Sequence, residues 1–198
     1  MSSTVIVIVV VAVALVAVLW YFAAYNEFVR LRNLIAESWK QVDVELQRRH
    51  ELVPNLVATV ERAAEFERGT LESVTAARNQ ARAVAAGAEV SGVANAENAL
   101  TAALSHLSAL AEQYPDLRAV QNYAALQREL SDIEDRIAAT RRLYNANVRA
   151  LNTKIESIPA AIVATVHHVS PAEYFEISGP EAREPVAVNK LFEAQPEG

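Results

Sequence analysis

A chain of 198 residues has room for one domain of ordinary size and a short appendage. Its 52% apolar content with only 5 glycines favours long helices over turn-rich β structure. The net charge is −6 and no basic stripe occurs, which argues against a nucleic-acid partner, while zero cysteine excludes disulfides, thiolate metal sites and cysteine nucleophiles.

Residues 5–24 form an uninterrupted apolar segment, "VIVIVVVAVALVAVLWYFAA". Twenty helical residues extend about 30 Å, which is the thickness of the bilayer's hydrocarbon core. The preceding "MSST" carries no positive charge and the apolar stretch is too long for a cleaved signal peptide. Trp20 and Tyr21 lie at its C-terminal end, where aromatic rings favour the headgroup region. We therefore predict a short tail at 1–4 and a transmembrane helix at 5–24.

The orientation follows from the flanking cations. No Lys or Arg precedes the segment, whereas Arg30, Arg32 and Lys40 follow it closely. Positively charged flanks stay in the cytoplasm, although nearby acidic residues weaken the bias. We expect a single-pass membrane protein with its large domain in the cytoplasm.

Beyond Tyr25 the apolar residues recur at steps of three, four or seven, which indicates one long amphipathic helix reaching about residue 86. A second helix is predicted near 94–113, where leucines share one side. A third pattern, an almost regular heptad, ends at Pro159, and its charged residues, among them Glu134 and Asp135, are interpreted as a solvated coat. Together these segments form an all-α domain at 25–158.

Two architectures remain open, and Pro115 separates them. If Pro115 only kinks a continuous helix, segments 25–86 and 94–158 pair as an elongated antiparallel hairpin. If Pro115 begins a new helix, the domain is a three-helix bundle.

The C-terminal segment, 159–198, has a different character. "SPAEYF" predicts a short helix with Ser170 as its cap, and "PVAVNKLF" could add one strand to a sheet edge. The final "EAQPEG" is expected to be disordered.

His50 and Glu51 open the zinc-protease pattern H-E-x-x-H, but Pro54 stands where the second histidine is needed. A proline inside a helix removes one hydrogen bond, so Pro54 should leave the carbonyl of His50 free and bend the helix. One interpretation is a functional kink beside a polar Asn55, and the other is a bend that only serves packing.

The sequence contains no other signal for catalysis. The four histidines have no metal-ligand spacing, and neither a phosphate-binding glycine loop nor a nucleophile elbow occurs. We therefore expect no catalytic residues, no metal and no cofactor.

Four blocks, "SWKQVDVELQRRHELVPNLVATV", "FERGTLESVTAAR", "YPDL" and "RRLYNANVRALNTKIESIP", resemble those of the LemA family of bacterial membrane proteins. With the apolar segment, the resemblance covers about residues 5–192. The positions that match the family signature are Trp39, Asp43, Arg48, Arg49, Pro54, Asn55, Leu56, Val57, Arg78, Tyr144, Asn145, Asn152 and Pro159.

The resemblance implies a single-pass protein with a long-helical domain, and it links the chain to membrane metalloproteases of the HtpX type and to membrane organisation. Our leading hypothesis is a membrane-anchored scaffold or adaptor that self-associates and has no catalytic activity. The alternative is an accessory or regulatory subunit of such a protease, and a distant one is a metal-dependent hydrolase using His50 and Glu51. The expected partners are the lipid bilayer, further copies of the chain, and a membrane protease or other membrane protein.

Overall fold

The computed structural model describes residues 3–63, 68–85, 89–114, 117 and 121–177. The described part is almost entirely helical. Its helices are α1 (Ser3–Ala63), α2 (Arg68–Ala85), α3 (Val90–Ala111), α4 (Gln121–Glu156) and α5 (Ala160–Val166). The predicted all-α fold is confirmed.

The N-terminal third of α1 is apolar on every side and its large side chains are exposed, as Leu19 shows at 69%. By length and composition, α1 is the one described helix able to cross a membrane. After Ala24 the character of α1 changes, because buried residues then recur along one stripe that packs against the other helices. The apolar segment thus continues without a break into the helical domain.

The helix α4 runs antiparallel to α1. Asn147 donates from Nδ2 to the Ser38 hydroxyl at 3.1 Å, and Glu134 lies farther along, where its carboxylate meets Arg49 at 2.7 Å. Residue numbers therefore fall along α4 as they rise along α1. The end of α4 approaches the apolar segment.

The helix α2 returns along α1, since Arg78 meets the carbonyl of His50 at 2.7 Å. The prediction of one helix from residue 25 to about 86 is therefore wrong beyond Ala63, because a separate helix begins at Arg68. The separate helices near 94–113 and before Pro159 are confirmed as α3 and α4. Pro115 lies outside the described residues, but the described ranges contain four long helices, where the sequence predicted two or three.

Two clusters of buried apolar side chains hold the domain. The main cluster has members from all four long helices and from the C-terminal segment. It includes Leu46, Leu56, Leu100, Leu107 and Phe175. The smaller one lies at the end of the apolar segment, where α1, α4 and α5 meet; its buried members are Ala24, Phe28, Leu31, Leu151, Ala160, Val163 and Ala164.

A turn containing Pro159 separates α4 from α5, and the Ile158–Pro159 peptide bond is cis. After α5 the chain has no regular structure through Ile177, so the short helix predicted at "SPAEYF" is wrong. Phe175 is fully buried, and side chains of α4 form hydrogen bonds with backbone groups of this segment that would otherwise pair within a helix. The predicted strand "PVAVNKLF" and the expected disorder of "EAQPEG" lie outside the described residues.

Candidate functional site

The middle of the domain contains a buried ionic centre, formed by Arg49, His50, Glu97, Thr101 and Glu134. The guanidinium of Arg49 donates to a carboxylate oxygen of Glu97 on α3, to Oε1 of Glu134 on α4 at 2.7 Å, and to the Thr101 hydroxyl at 3.1 Å. Arg49 and Glu97 are completely inaccessible to solvent. One ionic group therefore joins three helices.

The second oxygen of Glu97 contacts Nε2 of His50 at 2.8 Å. Burial alone would raise the pKa of Glu97, but the hydrogen bond with His50 and the charge of Arg49 hold it below its ordinary value. Burial would likewise lower the pKa of Arg49, yet Glu134 and Glu97 raise it. The centre is thus a charged pair with a partly buried second acid, and every residue in it has a structural partner.

The centre also bears on the proposal of a metal hydrolase using His50 and Glu51. His50 is buried and its Nε2 already faces Glu97, whereas Glu51 is exposed on the outer side of α1. Within the described ranges no three His, Asp or Glu side chains form a cluster that could hold a metal ion. The geometry gives no support to that hypothesis.

Sequence reasoning missed the partners of Arg49. It placed Glu134 in the solvated coat, but Glu134 is only partly exposed and bonds to Arg49. Glu97 was not singled out, although it is the one acidic residue of α3 and precedes the buried Leu100 and Leu104 by three and seven positions. An isolated acid on the apolar stripe of a helix was the available signal.

Pro54 and Arg78 act on the same carbonyl group. Pro54 has no N–H to donate to the carbonyl of His50, and α1 nevertheless continues through it. The Nε of Arg78 donates to that oxygen at 2.7 Å. The carbonyl predicted to be free is therefore used to dock α2 on α1, which favours a packing role for the proline.

A second group of signature residues holds the C-terminal segment against α4. Asn145 donates from Nδ2 to the carbonyl of Phe175 at 3.0 Å and accepts the N–H of Phe175 at 2.9 Å. Asn152 makes the same pair of bonds with Ala172, at 3.0 and 2.9 Å. The hydroxyl of Tyr144 donates to the carbonyl of Glu173 at 2.9 Å. We call residues 169–177 the strap.

The spacing of the two asparagines fits the strap. The seven steps from residue 145 to residue 152 along the helix rise about 10.5 Å, and three steps of extended chain, the separation of 172 and 175, span about 10 Å. The strap also closes the main core, because the Trp39 ring packs against Tyr144 and Phe175 at centroid distances of 5.2 and 5.1 Å.

The remaining signature residues have simpler positions. Leu56 is buried and Val57 is half-buried in the main core, while Asp43 accepts a hydrogen bond from Gln47 at 2.9 Å. Pro159 lies exposed in the turn between α4 and α5. These positions serve the fold locally.

Arg48 and Asn55 are different, because both are exposed and line an open groove between α1 and α4. The groove encloses about 510 Å³. Its exposed charged and polar side chains are Arg48, Glu51, Asn55, Glu129, Asp132 and Arg136, and its apolar floor is Leu52, Leu126 and Ile133. We call it the mixed-charge groove. Apart from the exposed pair of Arg48 with Glu45, at 3.0 Å, the fold assigns these two signature residues no evident task.

Comparison with known proteins identifies the family of this chain. The sequence pattern of the LemA family matches residues 38–189. The chain is similar to magnetosome protein MamQ 2 of Paramagnetospirillum magneticum, with 26% identity over 192 residues, or 85% of this chain and 70% of that protein. It is similar to magnetosome protein MamQ of Magnetospirillum gryphiswaldense, with 24% identity and the same coverage. Protein LemA of Metamycoplasma hominis is 27% identical over 135 residues, or 68% of this chain and 61% of that protein. None of these names describes a reaction, and with its long apolar helix the chain is a membrane-associated helical protein that belongs to the LemA family.

Proposed function

We propose that this protein is a membrane-anchored helical scaffold that self-associates and organises partners at the bacterial cell membrane. In this proposal residues 5–24 cross the bilayer once and the helical domain lies in the cytoplasm. The exposed apolar surface of the first part of α1 supports the anchor, and the cations after it support the orientation.

The mixed-charge groove is the observation that carries the self-association. Its rims hold two arginines, Arg48 and Arg136, and three acids, Glu51, Glu129 and Asp132. A surface that bears both signs can match a second copy of itself across a two-fold axis, where each contact between unlike residues is formed twice. The apolar floor adds area that a partner would remove from water.

Membrane anchoring strengthens such contacts. Copies tethered to one plane meet at a higher effective concentration than free molecules, so a weak interface suffices. Most of the other signature side chains hold α2, α3 or the strap in place, which suits a rigid structural role. A scaffold needs this rigidity and an exposed recognition surface.

The test is a charge swap in the full-length chain, reconstituted in detergent or nanodiscs and weighed by native mass spectrometry. Wild type should form dimers or larger assemblies. Arg136→Glu and Glu129→Arg should each weaken them, because each variant puts like charges together, and the double variant should restore them. Arg142→Glu, an exposed change on the same helix outside the groove, is the matched control.

A wild type that stays monomeric at every concentration would refute self-association. Assembly that neither charge reversal weakens would show that the mixed-charge groove is not the surface through which the copies associate. Crosslinking in native membranes that captures a protease and no second copy would favour the accessory-subunit alternative.

A further inference from the structure

The short helix α5 lies beside the end of the apolar segment. The Tyr21 hydroxyl is 2.7 Å from Nε2 of His167, and the Tyr25 ring lies 4.5 Å from the His167 ring, centroid to centroid. On the inner side of α5, Ala160 and Val163 belong to the cluster that includes Ala24 of α1. The end of α4, the helix α5 and the apolar segment therefore meet at one level along α1.

Tyr21 fixes that level relative to a bilayer. It lies three residues before the end of the apolar segment, which is about 4.5 Å along a helix. Tyrosines favour the boundary between headgroups and acyl chains. His167, bonded to Tyr21, lies at the same boundary if residues 5–24 cross the membrane.

The outer side of α5 and the turn before it is apolar and exposed. Ile158, Ile162 and Val166 are 88%, 63% and 58% accessible. Ile162 and Val166 are four positions apart on α5, so they share one side of the helix, opposite the buried Ala160 and Val163. Ile158 lies in the turn just before the helix. The helix itself, "AAIVATV", carries no charge. The domain thus places three large aliphatic side chains in the open beside its membrane segment.

We propose that Ile158, Ile162 and Val166 insert into the interfacial region of the lipid bilayer, so that α5 forms a second membrane contact. Helices with one apolar side lie in this region with that side buried among headgroups and upper acyl chains. The contact would fix the tilt and rotation of the domain, because α5 is bonded to α1 through His167 and follows directly from α4. This inference rests on the membrane anchor of the proposed function and does not depend on self-association.

The absence of native cysteine allows a clean test with single-cysteine variants of the full-length chain. Each variant receives an environment-sensitive fluorophore and is reconstituted in phosphatidylcholine and phosphatidylglycerol vesicles with nitroxide-labelled lipids. Ile162→Cys and Val166→Cys test α5. Leu19→Cys reports on the anchor. Val44→Cys, an exposed aliphatic position 20 residues beyond the segment, is the matched water-facing control.

We expect labels at 162 and 166 to shift to blue emission and to be quenched most by nitroxides near the headgroups. The label at 19, which lies about 3 Å further into the bilayer than Tyr21, should be quenched by nitroxides in the upper acyl chains, and the label at 44 should be unaffected. If 162 and 166 behave like 44 while 19 is quenched, the anchor stands and α5 does not touch lipid. A blue shift at 162 without lipid quenching means that protein covers α5 and also overturns the inference. A label at 19 that behaves like 44 refutes the anchor itself, and the inference with it.

Discussion

Arg78 on α2 donates a hydrogen bond from Nε to the backbone carbonyl oxygen of His50 on α1, over 2.7 Å. That oxygen would normally accept from residue 54 of the same helix, but residue 54 is proline. The donor that position 54 lacks is thus replaced by an arginine 28 positions beyond His50. Two signature residues that are distant in sequence therefore act on one carbonyl oxygen: Pro54 removes its helical donor and Arg78 supplies another.

Arg78→Ala should lower the free energy of unfolding by about 1–3 kcal/mol, because it leaves the carbonyl of His50 without this donor. In a Pro54→Ala background the loss should be smaller, since the new N–H at position 54 can donate to the same oxygen within the helix. Urea unfolding of the four members of this cycle, followed by circular dichroism in detergent, measures the coupling. Arg68→Ala, an exposed change on the same helix, is the control. Equal losses in both backgrounds would mean that Pro54 and Arg78 act independently.

The ionic centre predicts a loss of stability in acid. The pKa of Glu97 in the folded chain lies below its ordinary value of 4.5, so the unfolded chain binds the proton more readily in that range. Stability from Glu97 is therefore complete above about pH 4.5 and is lost as the pH falls through the folded pKa. The pKa of the partly exposed Glu27 is also lowered, by a hydrogen bond from the exposed Arg30, but this pair adds little because solvent screens it.

Glu97→Gln should flatten this acid limb and lower stability at neutral pH by about 3–5 kcal/mol, because it removes one charge of a buried pair. Glu134 remains as a partner for Arg49, which favours the lower end of that range. Thermal unfolding between pH 3 and 7 would test both effects, with Asp135→Asn as the exposed control on α4. An acid limb that is unchanged in Glu97→Gln would assign it to other carboxylates.

The spacing of apolar residues predicted helix boundaries correctly where the spacing changes at the end of a helix. It failed where the same spacing continues into the next helix. The return of α2 was missed because the apolar spacing continues past Ala63 into Leu71 and Val74, both buried. The intervening "AEFE" has no Gly or Pro to indicate a turn. A stripe that keeps its spacing cannot distinguish one straight helix from two that fold back.

The sequence identified some residues of the candidate site, but not the residues that they contact. The family resemblance selected Arg49, Asn145 and Asn152. Their partners are distant in sequence: Glu97 lies 48 positions from Arg49, Phe175 lies 30 from Asn145, and Ala172 lies 20 from Asn152. Spacing along one helix reports only on neighbours within that helix. The strap was mistaken for a helix because its capping pattern is a local signal, whereas burial of Phe175 and bonds to two asparagines are tertiary and prevail.

Asn145→Asp should release the strap. An aspartate at this position can still accept the N–H of Phe175, but it cannot donate to the carbonyl of Phe175, and its charge repels that oxygen. We expect the amides of Ala172 and Phe175 to lose protection in hydrogen–deuterium exchange and the strap to become sensitive to protease, at a cost of about 1–3 kcal/mol. In a Trp20→Phe background the emission of Trp39 should shift to red, because the Phe175 ring would no longer cover the Trp39 ring.

Asn147→Ala is the matched control, since Asn147 bonds to Ser38 of α1 and touches no strap residue through its amide. Its loss should weaken the α1–α4 contact without selective exchange at 172–175, and equal exchange in both variants would show that the strap has no separate stability.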